Sequence, residues 1–344
     1  MQTLTVANDY LLMQFVDQID TFPSSELVPI VTYDTGKLIN ILREKEVIEV
    51  CRVTKDDFEV VNQIDIAFGK VVKDLVAERH LQASYQEYLE MERDLENKVS
   101  GDLYIYAKQA ALSVKALYFY KNGESRKAIS TTLECIVLNE YLITLGMGTL
   151  NLRCFEQNKN ISRILLKSKD TETGYSLIFN LLNYLLNGTE KNLYGNLFKD
   201  KNYWNIVPIL RETYAYELFS MFSEDMIRFY SSDKSSFLPN AWYLDLDFDV
   251  NTPARQMIYN WIYINKQLAE RNYEEYINSM IYFFEQPASV FYDVMKLVLL
   301  IDLTKLARQF HCKENIVSGK VAAYISEKLR CNEKIRKYVV EHAL

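Results

Sequence analysis

The chain is short of turn formers: its 344 residues include only 6 prolines and 10 glycines. Both residues punctuate turns and β structure, so their scarcity predicts long helices joined by brief connections. Histidine is scarcer still, with His80, His311 and His342 the only three. None has the ExxH or HExxH spacing, which excludes metal catalysis built on paired imidazoles. The five cysteines, Cys51, Cys135, Cys154, Cys312 and Cys331, are scattered, and no two have the CxxC spacing of a zinc or redox site. They read as buried thiols in a reducing compartment. Long apolar runs are missing too. The richest window, 290–303, is broken by Asp293, Lys296 and Asp302 and is too short to span a bilayer. The amino end carries Asp9 early and has no basic region, unlike a secretory signal. The expectation is a cytoplasmic protein without a membrane segment.

What is present is apolar side chains at helical spacing. Hydrophobic residues make up 49% of the chain and charged ones 25%, enough for a sizeable core beneath a solvated surface. Leu11, Leu12, Phe15, Val16 and Ile19 form a first stripe. Leu38, Ile41, Leu42, Val47 and Ile48 form a second, entered after Asp34 and Thr35. Thr54 and Asp57 predict a capping signal ahead of Phe58, Val61, Ile64, Phe68, Val72 and Leu75. That run continues to about Ser100, either unbroken or bent near Gly69 or around His80. Its near-heptad spacing over 58–75 admits a homodimer, with packing inside the chain as the competing use.

Helix pairs with short turns follow, 102–121 with 124–143 and 149–168 with 172–186, then a helix over 206–230. In the segment 230–251 the rhythm breaks. Leu244, Leu246, Phe248 and Val250 alternate there with Asp245, Asp247 and Asp249, the period of extended chain. Helices resume at 252–271, 273–284, 288–310, 318–330 and 332–342. The fold class is therefore all-α, an irregular array of helical hairpins with one short extended insertion near 243–250. Four regions are expected: an acidic helical region with a long helix (1–100), a hairpin array (101–230), an extended insertion or linker (231–251) and C-terminal hairpins (252–344). The first holds 19 acidic against 10 basic side chains, whereas 301–344 holds 9 basic against 5 acidic.

One hairpin carries more information than the rest. In 112–140, LSVKALYFYKNGESRKAISTTLECIVLNE, small residues fall where two antiparallel helices would touch, at Ala116, Ala128 and Cys135, and Gly123 sits in the turn between them. With Phe119 at an aromatic position, this spacing resembles a tetratricopeptide repeat. A second stretch, Trp261 to Pro287, shares the turn but places Ile264 and Tyr276 at the small positions. The resemblance implies a tetratricopeptide-like α-solenoid whose inner helices form a groove for a peptide of a partner protein. It implies aromatic and Asn contacts, for which Tyr118, Tyr120 and Asn122 are the candidates here; core packing or a solvated helix surface is the other use of these side chains.

Other constellations point to less. Asp245, Asp247 and Asp249 lack the Gly and Glu that a calcium loop needs at its sixth and twelfth positions, where Val250 and Gln256 stand. Gly146-Met-Gly148 lacks the third glycine and the strand of a dinucleotide loop. Arg336 and His342 match the loose spacing of a helical ribonuclease family, a match short motifs produce by chance. The segment 303–329 resembles a helix-turn-helix, with its turn at His311, Cys312 and Lys313. Lys313, Ser318 and Lys320 would then meet DNA. His311 in place of the usual turn glycine, Gly319 in the reading helix and an overall charge of −7 argue against it. No catalytic residue, cofactor or metal site is expected. Two functions remain: a scaffold or adaptor that binds another protein or peptide, and a DNA-binding regulator that uses the C-terminal hairpin.

Overall fold

Every element among the described residues of the computed structural model is helical. These residues are 2–25, 35–189, 191–196, 246–286 and 290–344, with separate positions between 211 and 227; for 2–9, 35–38, 291 and 343 only the backbone is described. The helices are α1 (Gln2–Gln18), α2 (Thr35–Cys51), α3 (Lys55–Val76), α4 (Leu81–Lys98), α5 (Gly101–Lys121), α6 (Ser125–Thr144), α7 (Leu150–Lys167) and α8 (Thr171–Asn187). They continue with α9 (Pro253–Ala269), α10 (Tyr273–Glu285), α11 (Asp293–Phe310), α12 (Glu314–Lys328) and α13 (Glu333–Tyr338). Single 3₁₀ turns lie at Ile19–Thr21 and Val290–Tyr292, and a π turn at Val339–Ala343. The expected helix over 206–230 falls largely outside the described residues.

The chain forms two compact units, one of Met1–Thr32 with Glu212–Leu344 and one of Tyr33–Arg211. The acidic stretch 1–100 is therefore divided: α1 belongs with the C-terminal helices, and α2–α4 belong with the hairpins that follow them.

In the 33–211 unit, consecutive helices pack as antiparallel neighbours from α3 to α8. Thr54 opens α3 with a capping box: its hydroxyl accepts from Asp57 N at 3.2 Å, and the Asp57 carboxylate accepts from Thr54 N at 2.9 Å. The run from 55 to 99 is two helices. It breaks at 77–80, where Glu78 and His80 take left-handed φ of 55° and 50°. Gly69 stays inside α3, where a Cβ would meet nothing within 4 Å. The second stripe is only half sunk: Val47 is buried, whereas Ile41 is 57% exposed.

One turn recurs at six of the joints. After α5, Gly123 N donates to Tyr120 O at 3.2 Å and Glu124 N to Phe119 O at 2.8 Å, a Schellman closure around the left-handed Gly123 (φ 79°). The same pair of bonds closes α3 at Glu78, α6 at Gly146, α7 at Lys169, α9 at Arg271 and α11 at His311, each with positive φ. Only two of these six pivots are glycine. The hairpins α5–α6, α7–α8 and α9–α10 leave the turn through Glu124, Asp170 and Asn272, whose φ and ψ agree within 15°. The repetition lies in the backbone rather than in the side chains, and the packed all-helical array is compatible with a helical-repeat fold.

The other unit is built around α11, which is buried on all sides. The charges that interrupt its apolar run are covered with the rest: Asp293, Lys296 and Asp302 are 0% exposed and Lys305 3%. Asp293 accepts from Ser25 Oγ and from Arg330 N at 2.5 Å, which ties the end of the α1 segment to the C-terminal helices. Around this helix Phe284 of α10 meets Phe15, Phe22 and Tyr324 at ring-centre distances of 5.2, 5.7 and 5.8 Å. Tyr276, at a position expected to be small, is buried and donates its hydroxyl to Leu299 O at 3.3 Å. Helix α12 starts at Glu314, ahead of the expected Ser318.

Of the extended insertion, 246–250 is described and 243–245 is not. It follows the expected alternation without strand pairing: Leu246 and Phe248 are buried, Asp247 and Asp249 exposed. The alternation ends at Val250, which is 37% exposed.

Candidate functional site

Helices α3, α5 and α7 of the 33–211 unit, with one residue of α6, contribute to one groove. Its lining comprises Val72 of α3; Ser113, Val114, Ala116, Leu117 and Tyr120 of α5; Thr132 of α6; and Gln157, Asn160, Arg163 and Ile164 of α7, around a space of 240 Å³. The spacing along α5 and α7 places each set on one face of its helix. The floor is low because Ala116 has only a methyl group and because Thr132 folds its hydroxyl back onto Ala128 O at 2.8 Å.

The α5–α6 crossing that supports the floor is close. Cys135 and Ala128 are 0% exposed and Ala116 6%. Cys135 Sγ donates to Gln109 O at 3.1 Å, which brings the α6 side chain directly onto the α5 backbone. The three small residues thus serve a close helix contact, and Ala116 also opens the groove.

The polar wall is mainly α7. Gln157 Nε2 donates to Ser113 Oγ at 2.8 Å, and Asn160 Nδ2 to Gln157 Oε1 at 3.4 Å. Arg163 follows one turn later, exposed and without an ion pair among the described residues. Another turn on, the Lys167 ammonium lies 4.3 Å from the Tyr120 ring centre and donates to Tyr120 O at 3.3 Å. That carbonyl is in the last turn of α5, where a cation is favoured. Glu78, whose carboxylate feels the Lys167 charge, is held by Lys121 at 2.9 Å, and that hydrogen bond and charge keep its pKa below the usual range.

The sequence candidates separate on this frame. Tyr120 lines the groove. Tyr118 faces α4 instead, stacked on Tyr85 at 3.9 Å with its hydroxyl donating to Gln82 at 3.2 Å and only 7% of its surface exposed. Asn122 lies in the exposed turn and donates to Glu124 at 2.8 Å. Sequence reasoning did not select Gln157, Asn160, Arg163 or Lys167. The signal was present as polar residues spaced three and four apart along α7, opposite an apolar stripe.

In the C-terminal hairpin, Lys313 is exposed in the turn with left-handed φ of 40°, and Ser318 is half-buried. Lys320 forms an ion pair with Asp20. Arg336 donates to Leu329 O at 2.9 Å, while the His342 ring packs 4.9 Å from that of Tyr338.

Among the described residues no three His, Cys, Asp or Glu side chains converge as a metal site, and no helix is long and apolar enough to cross a membrane. Burial pushes the Cys135 thiol up to about 11 and the Cys154 thiol well above the ordinary range, away from nucleophilic use at neutral pH. Comparison with protein-family models, curated proteins and solved structures gave no match.

Proposed function

We propose that this protein is an interaction module, a scaffold or adaptor whose tetratricopeptide-like hairpin array holds a segment of a partner protein in the groove of α3, α5 and α7. The observation that carries this reading is the groove itself: apolar at its floor, polar along one wall, and placed on alternate helices of successive hairpins. Pockets of this composition suit a peptide that brings one apolar side chain and main-chain hydrogen bonds.

The DNA-binding alternative has less support. Of its three candidate contacts, Ser318 is half-buried and Lys320 is engaged by Asp20, which leaves Lys313 as the one exposed cation, and the solvent face of α12 presents Asn315, Ile316, Gly319, Ala323, Ser326 and Glu327. Phosphate binding depends on unengaged cations.

The test is affinity purification from native lysate with wild type and with Asn160→Trp, which fills the groove from its wall away from the α5–α6 crossing. A stoichiometric partner held by the wild type and lost by the variant, at unchanged melting temperature, is the expected outcome. A partner retained by the variant, or none recovered, would overturn the reading.

A further inference from the structure

We propose that the segment occupying this groove is acidic: one apolar side chain enters over Ala116, and a neighbouring Asp or Glu of the partner meets Arg163. This inference rests on the groove reading and adds the chemistry of the occupant.

The space of 240 Å³ exceeds the roughly 150 Å³ cavity that admits benzene, so one aromatic or branched aliphatic side chain fits. Val114 and Ile164 give it an apolar surround. The charge of the lining is one-sided. Among the described residues Arg163 is the only ionised one in the lining, and no carboxylate lines the groove. Lys167 adds a second cation one turn further along α7, and the nearby Glu78 is already held by Lys121. This cationic wall stands on a chain with a net charge of −7. An acidic segment is therefore attracted here, whereas a basic one would face Arg163 and Lys167. The guanidinium is a planar fork that matches a carboxylate through two parallel hydrogen bonds, and among the described residues nothing else uses it.

The measurement is fluorescence anisotropy on the full chain with three pools of decapeptides carrying a neutral dye. Each pool has one fixed Leu or Phe, flanked by Asp/Glu, by Asn/Gln or by Lys/Arg. The acidic pool should bind about tenfold tighter than the amide pool or better, the usual scale for a hydrogen bond to a charged group. Arg163→Gln should erase that difference, and Arg163→Glu should turn the preference to the basic pool. Because Arg163 is exposed, both variants should keep the wild-type melting temperature. If the acidic and amide pools bind equally and Asn160→Trp removes both, the acidic occupant is overturned while the groove reading survives. If no pool binds, or Asn160→Trp changes nothing, the groove reading falls and this inference with it. An oligothymidylate that displaces the acidic pool would also overturn the inference, since the wall would then be a phosphate site.

Discussion

The Cys135 thiol of α6 donates a hydrogen bond to the Gln109 carbonyl of α5 across 3.1 Å, with the thiol side chain wholly buried. A side chain of two heavy atoms spanning the gap means that the two helices leave no room for a larger one.

The first prediction concerns that gap. Ala128→Leu, one helical stretch before Cys135 on the same buried face, should destabilise the protein by about 1–3 kcal/mol through overpacking, read as a lower urea midpoint. A midpoint equal to wild type would mean that the crossing yields easily. Cys135 and Cys154 should also resist a thiol reagent at pH 8 until the chain unfolds, because burial disfavours both thiolates.

The non-glycine pivots offer a test of opposite sign. Lys169 and Arg271 hold left-handed φ of 67° and 60° at the close of α7 and α9. A side chain there costs about 1–2 kcal/mol, against roughly 0.5–1 kcal/mol for glycine's greater freedom when unfolded. Lys169→Gly and Arg271→Gly should each stabilise the protein by about 0.5–1 kcal/mol. Destabilisation of both in equilibrium denaturation would show that these side chains contribute something the turn geometry does not reveal.

The capping box of α3 predicts a local loss. Thr54→Ala removes the acceptor for Asp57 N and should cost about 1 kcal/mol, with faster amide exchange in the first turn of α3. Unchanged exchange there would mean that solvent caps the helix equally well.

Lys296 predicts a pH dependence. It is fully buried, its ammonium has no hydrogen-bond acceptor among the described residues, and it lies 5.5 Å from the Phe284 ring centre. Burial pulls its pKa down, opposed by the charge of Asp293. The unfolded chain then holds the proton more firmly than the folded one. The contribution of Lys296 to stability is thus fully present above the unfolded lysine value near 10.4 and is lost as pH falls through the lower folded value. The stability difference between wild type and Lys296→Met should rise as the pH is raised from 7 towards 10. A flat or falling difference would contradict a depressed lysine.

Helices were legible because α5, α7 and α10 carry apolar residues at three- and four-residue spacing, and a solvent-facing helix can have that period only if one face is buried. The break between α3 and α4 was harder to place, since Glu78 and His80 pivot there without glycine. Propensity alone does not flag a left-handed Glu or Lys; the surrounding packing holds it there. The burial of the α11 charges was not legible either. Asp293 and Lys296 look like solvent-facing interruptions, yet both are covered, because Ser25 and the Arg330 backbone, remote in sequence, supply partners to Asp293.

The amino-acid sequence by itself determined an all-helical chain, the α5–α6 hairpin and the burial of Ala116, Ala128 and Cys135, since periodicity and side-chain size act locally. Tertiary structure alone decided that α1 packs with the last helices, that Tyr118 turns to α4, and that Gln157, Asn160 and Arg163 face Ala116 across a groove. Each depends on which helices become neighbours, a choice set by contacts between residues far apart in the chain, and no local pattern encodes it.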